Sequence, residues 1–381
     1  MHMNRTVRIP LQATPEQADA LAETTRLFTD AFNTVCAYGW EHGETNGVHL
    51  HHATYYACKS AAPALVSDLH IQARVKATEA IKSALTLKRK SRKISPPMAD
   101  ACPPRYNVHT FKVDWNTRRV RLSTAQGRMS LPFHVPEYAT AYVGGKVATA
   151  DLIQHDGAWR LHIVVDIPAP IVQATDEIMG VDLGLAQPAV TSTNQFLGEK
   201  RWRALEGLSF KLRRVLQTSG TKSAKRHLRE MRRRQSRFRR DCDHVLSKQI
   251  IMAAQPGSTI VLENLTNIRR RITAKRKTAN KRRLHGWSFA QLNSFIRYKA
   301  EARGCTVVGV DPRHTSQTCS RCGHIARNNR RARAWFKCRV CDFELHADLN
   351  GARNIAAKYR ASLGTSETGE PPCQPAYRGE P

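Results

Sequence analysis

Residues 316 to 356 read SQTCSRCGHIARNNRRARAWFKCRVCDFELHADLNGARNIA. Two Cys-x-x-Cys pairs, Cys319 with Cys322 and Cys338 with Cys341, stand fifteen residues apart. That spacing lets four thiolates converge on one tetrahedral zinc ion, with Gly323 easing the first turn. Four cysteines fill the coordination sphere and leave no place for water, so the site reads as structural. Metal binding at such a site contributes roughly 10 kcal/mol or more to local folding. Arg327, Arg330, Arg331, Arg333, Trp335, Phe336 and Lys337 lie between the pairs, and this mixture suits phosphate contact and base stacking. Seven residues after the last cysteine, Asp348 opens a helical pattern that continues to about Leu363.

Two further carboxylates stand out upstream. Asp182 lies in the apolar stretch Ile178 to Leu183, between Gly180 and Gly184, and a second strand follows from Pro188 to Thr193. Glu263 ends the apolar stretch Ser258 to Leu262. A carboxylate in a buried strand is costly unless it is paired or binds metal. Three brought together repel one another, and divalent magnesium or manganese relieves that repulsion through oxygen ligands. Two such ions suit phosphodiester cleavage. Each residue also has a plainer reading, Asp348 as a helix N-terminal charge and Glu263 as a strand-end polar group, and spacing alone does not separate the two.

The whole chain points to a polyanionic partner. Its 381 residues hold 61 lysines and arginines against 31 aspartates and glutamates, a net charge of +30. Such an excess favours nucleic acid, where phosphate neutralisation releases counterions. Residues 200 to 254 read as one long basic helical stretch, and Arg226, Arg229, Arg232, Arg233, Arg237 and Arg240 are its candidate nucleic-acid contacts. A second basic stretch spans Arg269 to Arg283, a helix is expected over Trp287 to Ala302, and Thr306 to Val310 reads as a strand. No apolar run reaches the roughly 20 residues of a membrane helix, and no secretory signal is visible. The remaining cysteines (Cys36, Cys58, Cys102, Cys242, Cys305 and Cys373) are scattered, unlike a disulfide framework. A cytoplasmic, nucleoid-associated protein with no membrane partner is expected.

The N-terminal half begins with a short strand, Thr6 to Leu11. Thr14 and Pro15 then mark a helix start, and the helix runs to about Trp40. Helical stretches over Tyr55 to Leu65 and Leu69 to Leu87 follow, then a basic linker over Lys88 to Pro104. From Val108 to Ile167, five strand-like runs alternate with turns. The first strand is expected to join this sheet, so that the helices interrupt a β-domain. The last residues, 364 to 381, have the composition of a disordered tail.

GVDLGLAQPAV (180 to 190), IVLENL (260 to 265), IRYKAEARGCTVVGVDP (296 to 312) and the cysteine-bearing segment quoted above together resemble the TnpB proteins of bacterial and archaeal insertion sequences. These are related to the miniature type V CRISPR effectors. The resemblance is strong over residues 177 to 358 and weaker before them. It implies an α+β multidomain protein with an RNase H-like RuvC nuclease domain at 177–318 and 342–363 and a zinc-finger, target-nucleic-acid-binding insert at 319–341. It further implies a wedge-like β-barrel domain at 1–13 and 106–176, with a helical recognition domain and linker at 14–105. The implied activity is RNA-guided, metal-dependent cleavage of double-stranded target DNA beside a short flanking motif. Asp182, Glu263 and Asp348 would be catalytic and would hold two magnesium or manganese ions. One structural zinc ion and a guide RNA complete the cofactors, and a monomer is the expectation. Pairing would read the target sequence while protein reads backbone shape and the flanking motif. His346 departs from the pattern, because many relatives carry an acidic residue two positions before the catalytic aspartate. An RNA-guided DNA-binding regulator without cleavage, a CRISPR-associated type V effector and a DNA transposase are the alternatives.

Overall fold

A computed structural model of the protein describes residues 2–89, 94–266, 288–330, 332 and 334–364. The second basic stretch and the tail from residue 365 lie outside the described residues, as do Arg331 and Arg333. The chain divides into two compact units, one up to Pro168 and one from Ala169 onward.

In the first unit, β1 (His2–Pro10) pairs antiparallel with β7 (Ala158–Pro168) along its whole length. The expected joining of the first strand to the later sheet is thus observed. The sheet continues through β6 (Lys146–His155) to β2 (Arg105–Tyr106), a two-residue strand that sequence reading missed. A second sheet holds β3 (Phe111–Asp114), β4 (Arg119–Thr124) and β5 (Gly127–Pro132).

No closed barrel forms among the described residues. The two sheets share one core, but among the described residues their ladders are joined by a single isolated bridge, Leu11 to Phe133. Pro10 ends β1 and Pro132 ends β5. Both carbonyls still accept, from His134 and Gln12 respectively, but a proline has no N–H with which to extend a ladder. The barrel inferred from the family resemblance is therefore replaced by two sheets joined at a proline-limited seam.

Three helices lie between β1 and β2 in the chain. Helix α1 (Pro15–Glu41) starts as expected: Thr14 caps the Gln17 amide, and the Gln17 side chain returns the bond to the Thr14 amide. Helix α2 is Gly47–Ala61 rather than Tyr55 to Leu65. Its cap is Asn46, which accepts from the Val48 amide, and its end precedes Pro63. Helix α3 (Ser67–Arg89) follows.

The second unit is built on a five-stranded sheet in the order β10-β9-β8-β11-β12. Strands β8 (Ile178–Leu183), β9 (Ala189–Thr191) and β10 (Phe196–Leu197) are antiparallel neighbours. Strands β11 (Thr259–Glu263) and β12 (Thr306–Val310) run parallel to β8. The expected 55-residue basic stretch is two helices, α4 (Lys200–Ser219) and α5 (Lys222–Ala253). Gly220 ends the first with φ 64°, a conformation open to glycine at little cost, and Thr221 caps the second. Helix α6 (Phe289–Glu301) precedes β12. Strands β13 (Trp335–Lys337) and β14 (Glu344–His346) form a small hairpin before the last helix, α7 (Ala347–Gly364).

Alternation along the central strands sorts their side chains onto two faces. Met179, Val181 and Leu183 of β8 and Ile260 and Leu262 of β11 pack with Leu246, Ile250, Leu292 and Ile296 of α5 and α6. The residues between them, Gly180, Asp182, Val261 and Glu263, fall on the opposite face, which α7 covers.

Candidate active site

The register of two parallel strands brings the first two carboxylates together. Leu262 pairs with Val181, so the next step along each strand sets Glu263 beside Asp182, on the same face. Nothing local in either strand reveals this, because about 80 residues separate them. The third carboxylate arrives on α7. A Cβ built on Gly180 would meet the Ala352 carbonyl oxygen at 2.2 Å, and one on Gly351 would meet Asp182 Oδ2 at 2.9 Å. Gly180 needs glycine because the helix backbone rests directly on the strand there, and Gly351 leaves room for the Asp182 carboxylate. The close approach puts Asp348, in the first turn of α7, within electrostatic reach of Asp182.

The departure at His346 has a structural role. Its Nδ1 accepts the Asp348 amide at 3.3 Å, so the imidazole caps α7. Its ring also meets Phe196 edge-on at 4.8 Å.

Each carboxylate has its own surroundings. Burial, with the nearby charges of Glu263 and Asp348, pushes the Asp182 carboxyl up to about 8, and the charge of Arg330 opposes this. Burial raises Glu263 as well, against the hydrogen bond from Thr315 and the charge of Lys358. Thr315 Oγ1 donates to Glu263 Oε1 at 2.5 Å. Arg330 Nη2 donates to Asp348 Oδ1 at 3.0 Å. The charge balance fits divalent cations: three carboxylates face the Arg330 guanidinium and the Lys358 ammonium, and Asp182 is held in a setting where ionisation needs more positive charge.

A pH dependence follows. Between its ordinary value of 3.8 and about 8, Asp182 holds a proton in the folded state that the unfolded chain has released. Folding stability in metal-free buffer therefore falls as pH rises through that window. Asp182→Asn removes the effect. Its melting temperature at pH 8 without divalent ions is expected to exceed that of the wild type by about 5 °C, at roughly 2–4 °C per kcal/mol for a unit of this size. Scanning fluorimetry at pH 5 and pH 8 checks this. Equal melting curves for the two proteins at pH 8 would contradict a buried, strained carboxylate.

The four cysteines named from spacing do converge. Their sulfurs all lie within 4.8 Å of one another. Cys319 and Cys341 are 3.7 Å apart, and Cys322 and Cys338 are 3.6 Å apart. A tetrahedron with Zn–S bonds of about 2.3 Å has edges of about 3.8 Å, so the thiols fit zinc. Gly323 (φ 77°) and Asp342 (φ 52°) each follow a Cys-x-x-Cys turn in the left-handed conformation. Burial opposes ionisation of Cys338, yet hydrogen bonds from the Cys341 and Val340 amides and from neighbouring thiols bring it down to about 6.

Other expected contacts are distributed differently. Phe336 is fully buried in the knuckle core and is not open to a base, whereas Trp335 is 48% exposed. Lys337 is held by Glu344 and Asp342. Arg330 turns inward to Asp348, a placement its loop position did not signal. On α5, Arg226, Arg229, Arg232, Arg233, Arg237 and Arg240 are all exposed. Arg239 instead bonds Glu206 of α4.

The family model for the Cas12f1-like TNB domain matches residues 289–355. The chain is 33% identical over 232 residues to the CRISPR-associated endodeoxyribonuclease Cas12f1 of Sulfoacidibacillus thermotolerans, covering 55% of this chain and 53% of that one. It is 35% identical over 127 residues to the TnpB-like protein MJ0751 of Methanocaldococcus jannaschii, covering 33% and 44%. Its fold matches the protein in a Cas12f1-sgRNA-target DNA complex with a TM-score of 0.65 at 16% identity, over 90% of this chain and 83% of that one. The chain spans 50 to 60% of the length of the first curated relatives it matches. The resemblance read from the motifs thus stands: this chain is similar both to TnpB-like proteins and to miniature type V effectors. No helix among the described residues is long and apolar enough to cross a membrane.

Proposed function

We propose that this chain is an RNA-guided, metal-dependent DNA endonuclease of the RuvC type, acting beside a short flanking motif. The observation that carries the reading is that Glu263 and Asp348 both lie within electrostatic reach of Asp182, near the carboxyl ends of two parallel strands. The mixed five-stranded sheet with helices on both faces supports an RNase H-like nuclease domain. The relatives' names supply the DNA substrate, and the complex matched in fold was captured with its single-guide RNA and target DNA.

Asp182, Glu263 and Asp348 would hold two magnesium or manganese ions. Bound there, the ions supply Lewis-acid activation of the attacking water and of the leaving oxygen. The chain's own groups prepare the site. Strand pairing on both sides of β8 fixes the Asp182 backbone, and Thr315 orients Glu263. The Arg330 guanidinium presents a positive charge beside Asp348 and would suit a phosphodiester oxygen of the substrate. The exposed α5 arginines supply a phosphate-tracking surface, and the zinc knuckle would serve target nucleic acid. The helices over 14–105 would act in recognition, and the two sheets of the first unit in a wedge-like role.

The test is sequencing of RNA that co-purifies with the protein expressed from its native locus. One discrete RNA with a constant structured part and a variable end is expected, and it directs cleavage of matched DNA in magnesium. A mixture that tracks cellular RNA abundance would mean that the net charge of +30 binds RNA without selection. The guided reading would then fall.

A further inference from the structure

Four buried polar side chains tie the zinc knuckle to the carboxylates. Asn350 and Asn354 sit one turn apart on α7, two and six residues after Asp348, and are 0% and 5% exposed. Polar residues at that spacing ordinarily mark a solvent-facing stripe. Here they grip the loop that enters the knuckle. Asn350 Nδ2 donates to the Thr318 carbonyl at 2.8 Å, and its Oδ1 accepts the Ser320 amide at 3.0 Å, bracketing Cys319. Asn354 Nδ2 donates to the carbonyls of Thr315 at 2.8 Å and Thr318 at 2.7 Å. Thr315, itself 3% exposed, carries the hydroxyl that bonds Glu263. On the far side of the knuckle, Asn329 is fully buried. It bonds the carbonyls of Gln317 and His324 and the amide of Arg339. The next residue, Arg330, reaches Asp348.

We infer that the zinc knuckle is a clamp on the carboxylate site, with Asn354 and Thr315 as positioning residues that transmit its order to Glu263 and Asp348. The inference rests on the carboxylate-metal reading above. Two of the three carboxylates receive a hydrogen bond from the loop that the thiolates anchor, and the helix bearing one of them is fastened to that loop through amides. A zinc-bound knuckle therefore holds Thr315 and Arg330 at fixed positions. A knuckle without zinc releases both, and the carboxylates lose their preorganisation for a second metal. Outer-shell partners of this kind typically change metal affinity by about 10–100-fold. Loss of zinc by chelation would thus weaken metal binding at the carboxylates without touching them.

Manganese binding followed by electron paramagnetic resonance tests this without reference to cleavage. Zinc content is measured on the same samples. Wild type should bind Mn2+ with one zinc per chain, and Asp182→Asn should lose that binding. Asn354→Leu and Thr315→Val should keep zinc yet bind Mn2+ at least about tenfold more weakly. Thr315→Ser, which retains the hydroxyl, should bind like the wild type. Zinc-stripped wild type should show the same weakening. Unchanged Mn2+ affinity in Asn354→Leu and Thr315→Val, or in the zinc-stripped protein, overturns the clamp and leaves the carboxylate site standing. If Asn354→Leu does not fold, the Thr315 pair decides, since that residue lies outside α7. A wild type that binds no Mn2+, or an Asp182→Asn variant that binds it equally, removes the carboxylate reading and the clamp with it.

Discussion

Under the proposed function, Asp182→Asn is expected to slow magnesium-dependent cleavage of guide-matched DNA by at least about 10³-fold and to leave guide RNA and target DNA binding within about twofold. The size follows from what the residue would hold in place. Metal-ion charge stabilisation contributes several kcal/mol to a phosphodiester transition state, and each 1.36 kcal/mol is a factor of ten in rate. Of the three carboxylates, Asp182 is the most deeply set. It is bordered by β9 and β11 and pressed by the backbone of α7 at Gly351. The amide is isosteric and neutral, so the fold is kept and even stabilised at high pH, which separates a chemical loss from a structural one. Binding should survive because the basic surface lies elsewhere, on exposed arginines of α5. Gel-based cleavage with single turnover, alongside filter binding, makes the comparison. Cleavage retained within tenfold would mean that a different group carries the chemistry.

Cys338→Ser is expected to strip zinc from the protein and unfold the knuckle. The variant should contain less than about a tenth of an equivalent of zinc, where the wild type contains one. Hydrogen exchange should accelerate by orders of magnitude at three amides that close the turns: Cys319 to the His324 carbonyl, Gly323 to Cys319, and Cys338 to Phe343. The reasoning is energetic. The knuckle's apolar content is small, chiefly Phe336 with Ala347, Phe343 and the cysteines themselves. So little buried surface cannot offset the conformational entropy of ordering a segment of this length. Four thiolates on zinc supply roughly 10 kcal/mol or more, and the fold there depends on them. Cys242→Ser on α5 is the control, and it should leave zinc and exchange rates unchanged. A Cys338→Ser protein with a full equivalent of zinc and protected amides would show that the four cysteines are not its site.

Much of the element layout was open to reading because its signals are local. Thr14 with Pro15 announces α1, and alternation marks β3 to β7. The Cys-x-x-Cys spacing needs only a few residues to be seen. The misses share a different cause. The α4–α5 break lay in plain view at Ser219-Gly220-Thr221, but uninterrupted basic composition masked it. Helix α2 begins at Asn46, ahead of a histidine-rich turn with little apolar periodicity. The absence of barrel closure depends on how Pro10 and Pro132 meet across 122 residues of chain, which no window of sequence contains. The same holds at the candidate site. Asp182, Glu263 and Asp348 were singled out as costly carboxylates, but their convergence is set by the β8–β11 register and by bare backbone at Gly180 and Gly351. Arg330 was read as one more cation in a basic loop. Asn350 and Asn354 carried no signal at all, because buried amides and solvated ones look alike in sequence.

The pairing of β1 with β7 also sets a timetable for synthesis. Pro10 has no strand partner until Arg160 has been made. At roughly 5–20 residues per second, ribosomes take on the order of 10 to 30 seconds to cover that distance. Throughout the wait, a nascent strand with an unpaired edge is open to wrong partners. The helices made in the interval need only near neighbours to pack, so they can assemble early and shelter the strand's apolar side chains, Val7 and Ile9, which share a core with Leu21 and Phe28. An interruption that looks like an accessory in the finished molecule would then act, during translation, as the first shelter its opening strand meets.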